Sequence, residues 1–232
     1  MAKLCFNSPL GKIALESEDD KIISIELGCE QPLIESDEAC LLNAKSQLIE
    51  YFSRERKKLS FPIRITAVPF FSEIYKLMRK IPYGTTVAYQ DLAIAAGKPQ
   101  ASRAVGMANH VNRLPLIVPC HRVIGKNNKL VGFSAGIWRK EALLALERGE
   151  EYHQPLGKDQ ERIYSFGLCT PPGEFYDQNR AELVKLESGY AVMEVEGEGI
   201  TLVKNAEYLI EAHKKHRVTS TSWDCVWLCK HL

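Results

Sequence analysis

The run Asn112-Arg113-Leu114-Pro115-Leu116-Ile117-Val118-Pro119-Cys120-His121-Arg122-Val123-Ile124 holds the residues best suited to covalent chemistry. Pro115 and Pro119 restrict their own backbone and that of the residue before each, so the chain arrives at Cys120 with little conformational freedom. A thiolate is a strong nucleophile, and the adjacent His121 can take the thiol proton directly or through water. An unperturbed cysteine titrates at about 8.5, so a basic neighbour, Arg122 and a positive local field would each raise the thiolate fraction. Taken alone, a Cys-His dipeptide also fits a small buried hydrophobe beside a hydrogen-bonded core histidine. A cysteine hydrolase is a further reading, which needs an oxyanion site and turnover of an ester or peptide.

The elements around this run divide the chain. Over residues 1–69, apolar and polar residues alternate in strand-like runs at 12–16 and 21–27, with Ser8-Pro9-Leu10-Gly11 as a turn. Leu41, Ala44, Leu48, Ile49 and Phe52 then repeat at helical spacing, which together predicts a small α/β unit. From Pro69 the texture is helical. Phe70, Ile74, Leu77 and Met78 form an apolar stripe ending at the turn Ile81-Pro82-Tyr83-Gly84. Thr85 and Thr86 are placed to cap a helix running to Ala96, Gly97 to stop it, and Pro99 to open a second helix over residues 100–109. Two helices joined through a tight glycine turn have the helix-turn-helix layout. Ala101, Ala104, Gly106 and Ala108 leave the second helix with small side chains, which permit close approach to another surface. An amphipathic helix follows over residues 137–148, with Glu147 near its end. Residues 150–159 are polar and carry Gly and Pro, so they read as a linker. Residues 160–232 hold short β-prone runs at 163–169, 181–186, 190–196, 201–203 and 226–229, as in a small all-β barrel or sandwich.

Charge is unevenly distributed: residues 70–149 carry twelve Lys and Arg against four Asp and Glu, whereas the segments before and after are net acidic. A polyanion fits the middle segment. No apolar run reaches the roughly 18 residues of a membrane span. Met1 to Phe6 lack a basic flank followed by an apolar core, so a cytoplasmic protein is expected. Seven cysteines scattered along the chain do not form a disulfide framework, and reduced thiols are expected. Cys5, Cys29 and Cys40 could supply thiolates to zinc, but no CxxC pair or matching histidines accompany them.

Pro119-Cys120-His121-Arg122-Val123-Ile124 resembles the active-site signature of the O6-alkylguanine-DNA alkyltransferases, the methylated-DNA–protein-cysteine methyltransferases. The resemblance spans residues 8–148 and includes the run from Ile81 to Tyr89 and Arg103-Ala104-Val105-Gly106. It implies a ribonuclease H-like α/β domain over 1–69 and a mainly α, winged-helix-like domain over 70–149. The implied activity is DNA repair: irreversible, single-turnover transfer of a methyl or other alkyl group from guanine O6, and also from thymine O4, to Cys120. In this family pattern Glu147 orients His121, and His121 deprotonates Cys120 through water. Asn112 corresponds to the hinge asparagine. Tyr89 and Arg103 correspond to the pair that handles a flipped nucleotide, and Ser134 to a group that binds the guanine oxygen. Val123, Ala104 and Gly106 join the implied DNA- and base-binding set, with the second helix in the minor groove of double-stranded DNA. A thiol reaches an exocyclic oxygen in a duplex only if the base is flipped out. Val131 and Ala135 depart from the glycine-rich family loop, and transfer implies no cofactor and no metal.

Two non-transferase readings remain at this point: a damage sensor, which Cys120 argues against, and a helix-turn-helix regulator, which leaves Cys120, His121 and Glu147 without a purpose. The run from Gly167 to Tyr176, residues 182–195 and Trp227-Leu228-Cys229-Lys230 resemble small cupin-like pyrimidine/purine nucleoside phosphorylases. That resemblance implies a cupin-like barrel over 160–232, with nucleoside binding, phosphorolysis and homo-oligomer formation all open. Only His213 and His216 stand where a metal-binding cupin has its ligand cluster, so no metal is expected there, and Cys225 and Cys229 read as core.

Overall fold

The computed structural model describes residues 1–168 and 175–232. Contacts divide the chain into two compact units, one of Met1–Tyr51 and Arg56–Arg148, the other of Phe52–Glu55 and Gly149–Leu232.

In the first unit, β1 (Ala2–Ser8), β2 (Gly11–Glu18) and β3 (Lys21–Leu27) form an antiparallel meander in the order β1-β2-β3. The expected turn closes β1 onto β2: Ser8 Oγ accepts from Leu10 N at 3.2 Å and donates to Gly11 O at 2.5 Å. The period-two pattern buries Leu4, Phe6, Ile13, Leu15 and Ile25. Helix α1 (Ala39–Phe52) follows, burying Leu41, Ala44, Leu48 and Tyr51 at helical spacing.

Helix α2 (Pro69–Met78) starts on the proline, whose missing N–H costs nothing at a first helical position, and buries Ile74, Tyr75 and Met78. The next helix begins later than Thr85 and Thr86 suggested. Val87 and Ala88 form a short strand, β4, and α3 runs from Tyr89 to Ala95. The Asp91 carboxylate accepts from Ala88 N at 3.2 Å at the helix start, while Thr85 Oγ1 turns back to Pro82 O. The threonines are displaced as caps because β4 pairs in parallel with β5 (Val123–Ile124), the strand leaving the cysteine turn. Gly97, at φ 69°, ends the helical segment, and α4 (Ser102–His110) completes the helix-turn-helix. Gln90 fastens the turn: its Nε2 donates to Pro99 O at 2.7 Å and its Oε1 accepts from Ser102 Oγ at 2.6 Å. Helix α5 (Ile137–Arg148) closes the unit, with Lys140, Leu143, Leu144 and Glu147 among its buried residues.

The second unit is all-β beyond residue 150. β6 (Tyr152–Gly157), β7 (Gln160–Tyr164), β8 (Glu182–Ser188), β11 (Glu207–Ile210) and β13 (Val226–His231) form an antiparallel sheet in the order β11-β8-β13-β7-β6. β9 (Tyr190–Val195), β10 (Glu198–Val203) and β12 (His216–Thr221) form a second, in the order β10-β9-β12. Val184, Leu186, Met193, Leu202, Trp227 and both Cys225 and Cys229 make its core. The stretch expected as a linker is corrected here: most of it is β6, paired antiparallel with β7. Pro155 and Gly157 misled that reading, because β6 is an edge strand, where a residue without an N–H is tolerated. β11 and β12 were also unanticipated, and part of the run from Gly167 to Tyr176 lies outside the described residues. Among the described residues, no helix is long and apolar enough to cross a membrane.

Candidate active site

Cys120 opens a single 3-10 turn, Cys120–Arg122, and is 4% exposed. Asn112 stitches the loop before it to the sulfur: Nδ2 donates to Val118 O at 2.9 Å and to Cys120 Sγ at 3.2 Å, while Oδ1 accepts from Leu114 N at 3.0 Å. Burial pushes the Cys120 thiol up, and the Asn112 hydrogen bond and the Lys140 ammonium oppose that rise by favouring the thiolate. Cys120 is therefore held as a thiol, beside an amide N–H and an ammonium that favour its charged form.

His121 is fully buried, with Nε2 2.8 Å from Glu147 Oε1. A carboxylate only accepts, so Nε2 carries the proton and Nδ1 keeps its lone pair. Among the described residues, Nδ1 is buried without a hydrogen-bond partner. Burial lowers the His121 pKa against the opposing pull of Glu147, which keeps the ring neutral and Nδ1 basic.

Glu147 is the hub of this cluster. It accepts from Tyr51 OH at 2.6 Å, from Arg122 Nε at 2.9 Å and Nη2 at 2.7 Å, and from Gly84 N at 2.9 Å. Burial would raise its carboxyl, but His121 and Arg122 hold it well below the usual carboxylate range. Gly84 sits at φ 75°, and a Cβ there would lie 3.2 Å from Glu147 O, so both its conformation and the close approach call for glycine. Arg122 does not supply the positive field expected at Cys120, because its guanidinium is engaged by Glu147 and by Ile81 O at 2.8 Å. That cation is Lys140. It is fully buried, donates to Val123 O at 2.6 Å and Val131 O at 3.1 Å, and burial lowers its pKa to about 8.

The face of α4 carries exposed Arg103 and Met107, with Ala104 and Gly106 partly exposed. A Cβ added at Gly106 would meet nothing within 4 Å, so nothing in the chain itself requires a glycine there. Tyr89 OH donates to Val131 O at 3.2 Å, which ties the start of α3 to the loop holding Phe133 and Ser134. Ser134 is exposed and lines a cleft of about 450 Å³ together with Asn112 and Phe133. Val123 corrects the expected base-contacting set: its side chain is fully buried and has no surface to offer a nucleotide.

Two family models match the chain: the 6-O-methylguanine DNA methyltransferase ribonuclease-like domain over residues 1–65, and the DNA binding domain over 69–149. The constitutive methylated-DNA–protein-cysteine methyltransferase of Bacillus subtilis is 40% identical over 151 residues, covering 61% of this chain and 92% of that protein. This chain belongs to the methylated-DNA–protein-cysteine methyltransferase family. The Methanosarcina acetivorans protein of the same name is 37% identical over 148 residues, covering 61% of this chain and 95% of its own length. The crystal structure of Mycobacterium tuberculosis OGT in complex with DNA is similar at 36% identity and a TM-score of 0.58, covering 63% of this chain and 92% of that one.

Within this methyltransferase, Asn112 with Cys120 and His121 with Glu147 form two buried hydrogen-bonded pairs, brought together because Cys120 and His121 are adjacent in the chain. Tyr51 hydrogen-bonds Glu147 and Lys140 acts on Cys120 through its charge, and sequence reasoning missed both. Tyr51 sits in an apolar helical stripe as an ordinary core aromatic would, and Lys140 was readable only as a lysine on the buried stripe of an amphipathic helix. Of the three cysteines weighed as thiolates for zinc, Cys5 and Cys29 have their sulfurs 3.5 Å apart, whereas Cys40 approaches Glu38. Among the described residues, no three His, Cys, Asp or Glu side chains are grouped to hold a metal ion.

Proposed function

We propose that this methyltransferase repairs DNA by taking the alkyl group from O6 of a flipped guanine onto Cys120. The observation that carries this reading is the buried thiol held by Asn112 next to a neutral histidine whose Nδ1 is a lone-pair acceptor. His121 takes the thiol proton through water as the sulfur attacks the alkyl carbon. A C–S bond forms, the C–O6 bond breaks, and its electron pair leaves on the base, which takes up a proton to give guanine. Glu147 stabilises the imidazolium formed in that step, as an anion already ion-paired with Arg122. The thioether is stable, so each molecule acts once.

Base delivery is assigned to the helix-turn-helix. Arg103 fills the gap left in the stack, Tyr89 and Ser134 contact the flipped nucleotide, and the small face made by Ala104 and Gly106 lets α4 approach the minor groove. The open space around Gly106 supports that approach. Incubation with a duplex containing O6-methylguanine, followed by intact mass measurement, tests the reading. One methyl per molecule, mapped to Cys120 and absent from Cys120→Ala, is the expected result. Repeated turnover, or transfer to another residue, would refute it.

A further inference from the structure

The β unit contains a cavity of about 230 Å³ lined by residues of both its sheets. This is room for roughly eight waters at about 30 Å³ each, which suits a small ligand. Its walls include Ile163, Val184, Met193 and Trp227, with the Trp227 ring held by an Nε1–H bond to Ser165 Oγ at 2.9 Å. Two of its polar lining groups are deeply buried: Glu182 at the start of β8 and His216 at the start of β12, each 5% exposed.

Both offer acceptors. His216 Nδ1 is 3.1 Å from Lys214 O, a carbonyl that can only accept, so Nδ1 carries the proton and Nε2 keeps its lone pair. Glu182 accepts from Gln178 Nε2 at 2.7 Å and shares a side-chain hydrogen bond with Cys229, and among the described residues no lysine or arginine pairs with it. Elsewhere in the cavity the acidic groups are better served: Glu151 and Glu161 flank His153, at 3.7 and 3.1 Å. The site thus combines a buried carboxyl group, a second acceptor on His216 and apolar walls that include Trp227.

We propose that this cavity binds a small organic cation, an amine or amidine with an apolar body, whose N–H groups donate to Glu182 and His216. The proposal is independent of the alkyl-transfer reading. Calorimetric titration of the full chain with benzylamine and benzamidine, against benzyl alcohol and benzoate, tests it. The cations should bind with a Kd below about 1 mM and the alcohol and benzoate at least about tenfold more weakly. Glu182→Gln should weaken cation binding by about tenfold or more while methyl transfer to Cys120 is unchanged. If that variant fails to fold, His216→Asn, which removes the Nε2 acceptor, is read in its place. Absence of cation binding, equal binding of the alcohol or benzoate, or cation binding undiminished in the folded variant would overturn the proposal. So would occupation of the cavity by a free nucleoside to which neither cation can compete.

Discussion

At the scale of single residues, the site separates its charges by burial and pairing. Glu147 is an anion because Arg122 neutralises it, and His121 is neutral because the same burial leaves its ring no second counter-charge. Replacing Glu147 by Ala would strand a buried guanidinium, and breaking such a pair costs about 3–5 kcal/mol. We expect a large fall in the urea midpoint of Glu147→Ala together with loss of methyl transfer. The pH dependence follows from the lowered His121 pKa. Above the ordinary value of 6.5 both folded and unfolded histidine are neutral, so this group contributes no slope. Below 6.5 the unfolded chain binds the proton first, so stability falls with falling pH until the folded pKa is reached. Thermal melts from pH 7 downward should show that fall, and His121→Gln should lessen it. Lys140→Met removes the cation acting on Cys120, so the pH at which iodoacetamide labels Cys120 should move upward.

At the scale of elements, the cysteine turn is held from two sides. β5 leaves it and pairs with β4, and α5 brings Lys140 and Glu147 to it one helix face apart by seven residues, about two turns. The helix-turn-helix gives a sharper test. Gly106 lies inside α4, where glycine is destabilising by about 0.5–1 kcal/mol relative to alanine, and a Cβ there meets nothing in the chain. Gly106→Leu should therefore leave the melting temperature unchanged or raised while weakening duplex binding in a gel-shift assay. If the duplex is bound as before, α4 is not the element that enters the groove.

At the scale of the whole molecule, residues 70–149 are strongly basic while the segments before and after are net acidic. Binding to phosphates by the basic segment releases counterions, so affinity for an undamaged duplex should fall steeply as NaCl rises from 50 to 200 mM, by about tenfold or more if two or more phosphates are neutralised. Fluorescence anisotropy measures this directly, and a salt-independent affinity would remove charge from the account of DNA binding. The β unit lies beyond the residues that the two family models match, which end at 149.

The sequence by itself determined the family and pointed to Cys120 as nucleophile and His121 as its base, because these rest on contiguous residues: two prolines, a cysteine and a histidine whose chemistry is local. It also showed the helices of the first unit, whose apolar periodicity and glycine stops are local too, though not the start of α3. Only the tertiary structure decided which charges meet. Arg122 follows His121 directly yet serves Glu147, 25 residues away, whereas the cation acting on Cys120 is Lys140 on α5. Tyr51 reaches Glu147 across 96 residues, a pairing that no spacing rule encodes. The same holds for Val123, which follows the cysteine turn but is buried by strand pairing, and for residues 152–157, where Pro and Gly suggested a linker and an edge strand formed. Local residue preferences describe what a segment tolerates, while long-range pairing of buried polar groups selects what it does.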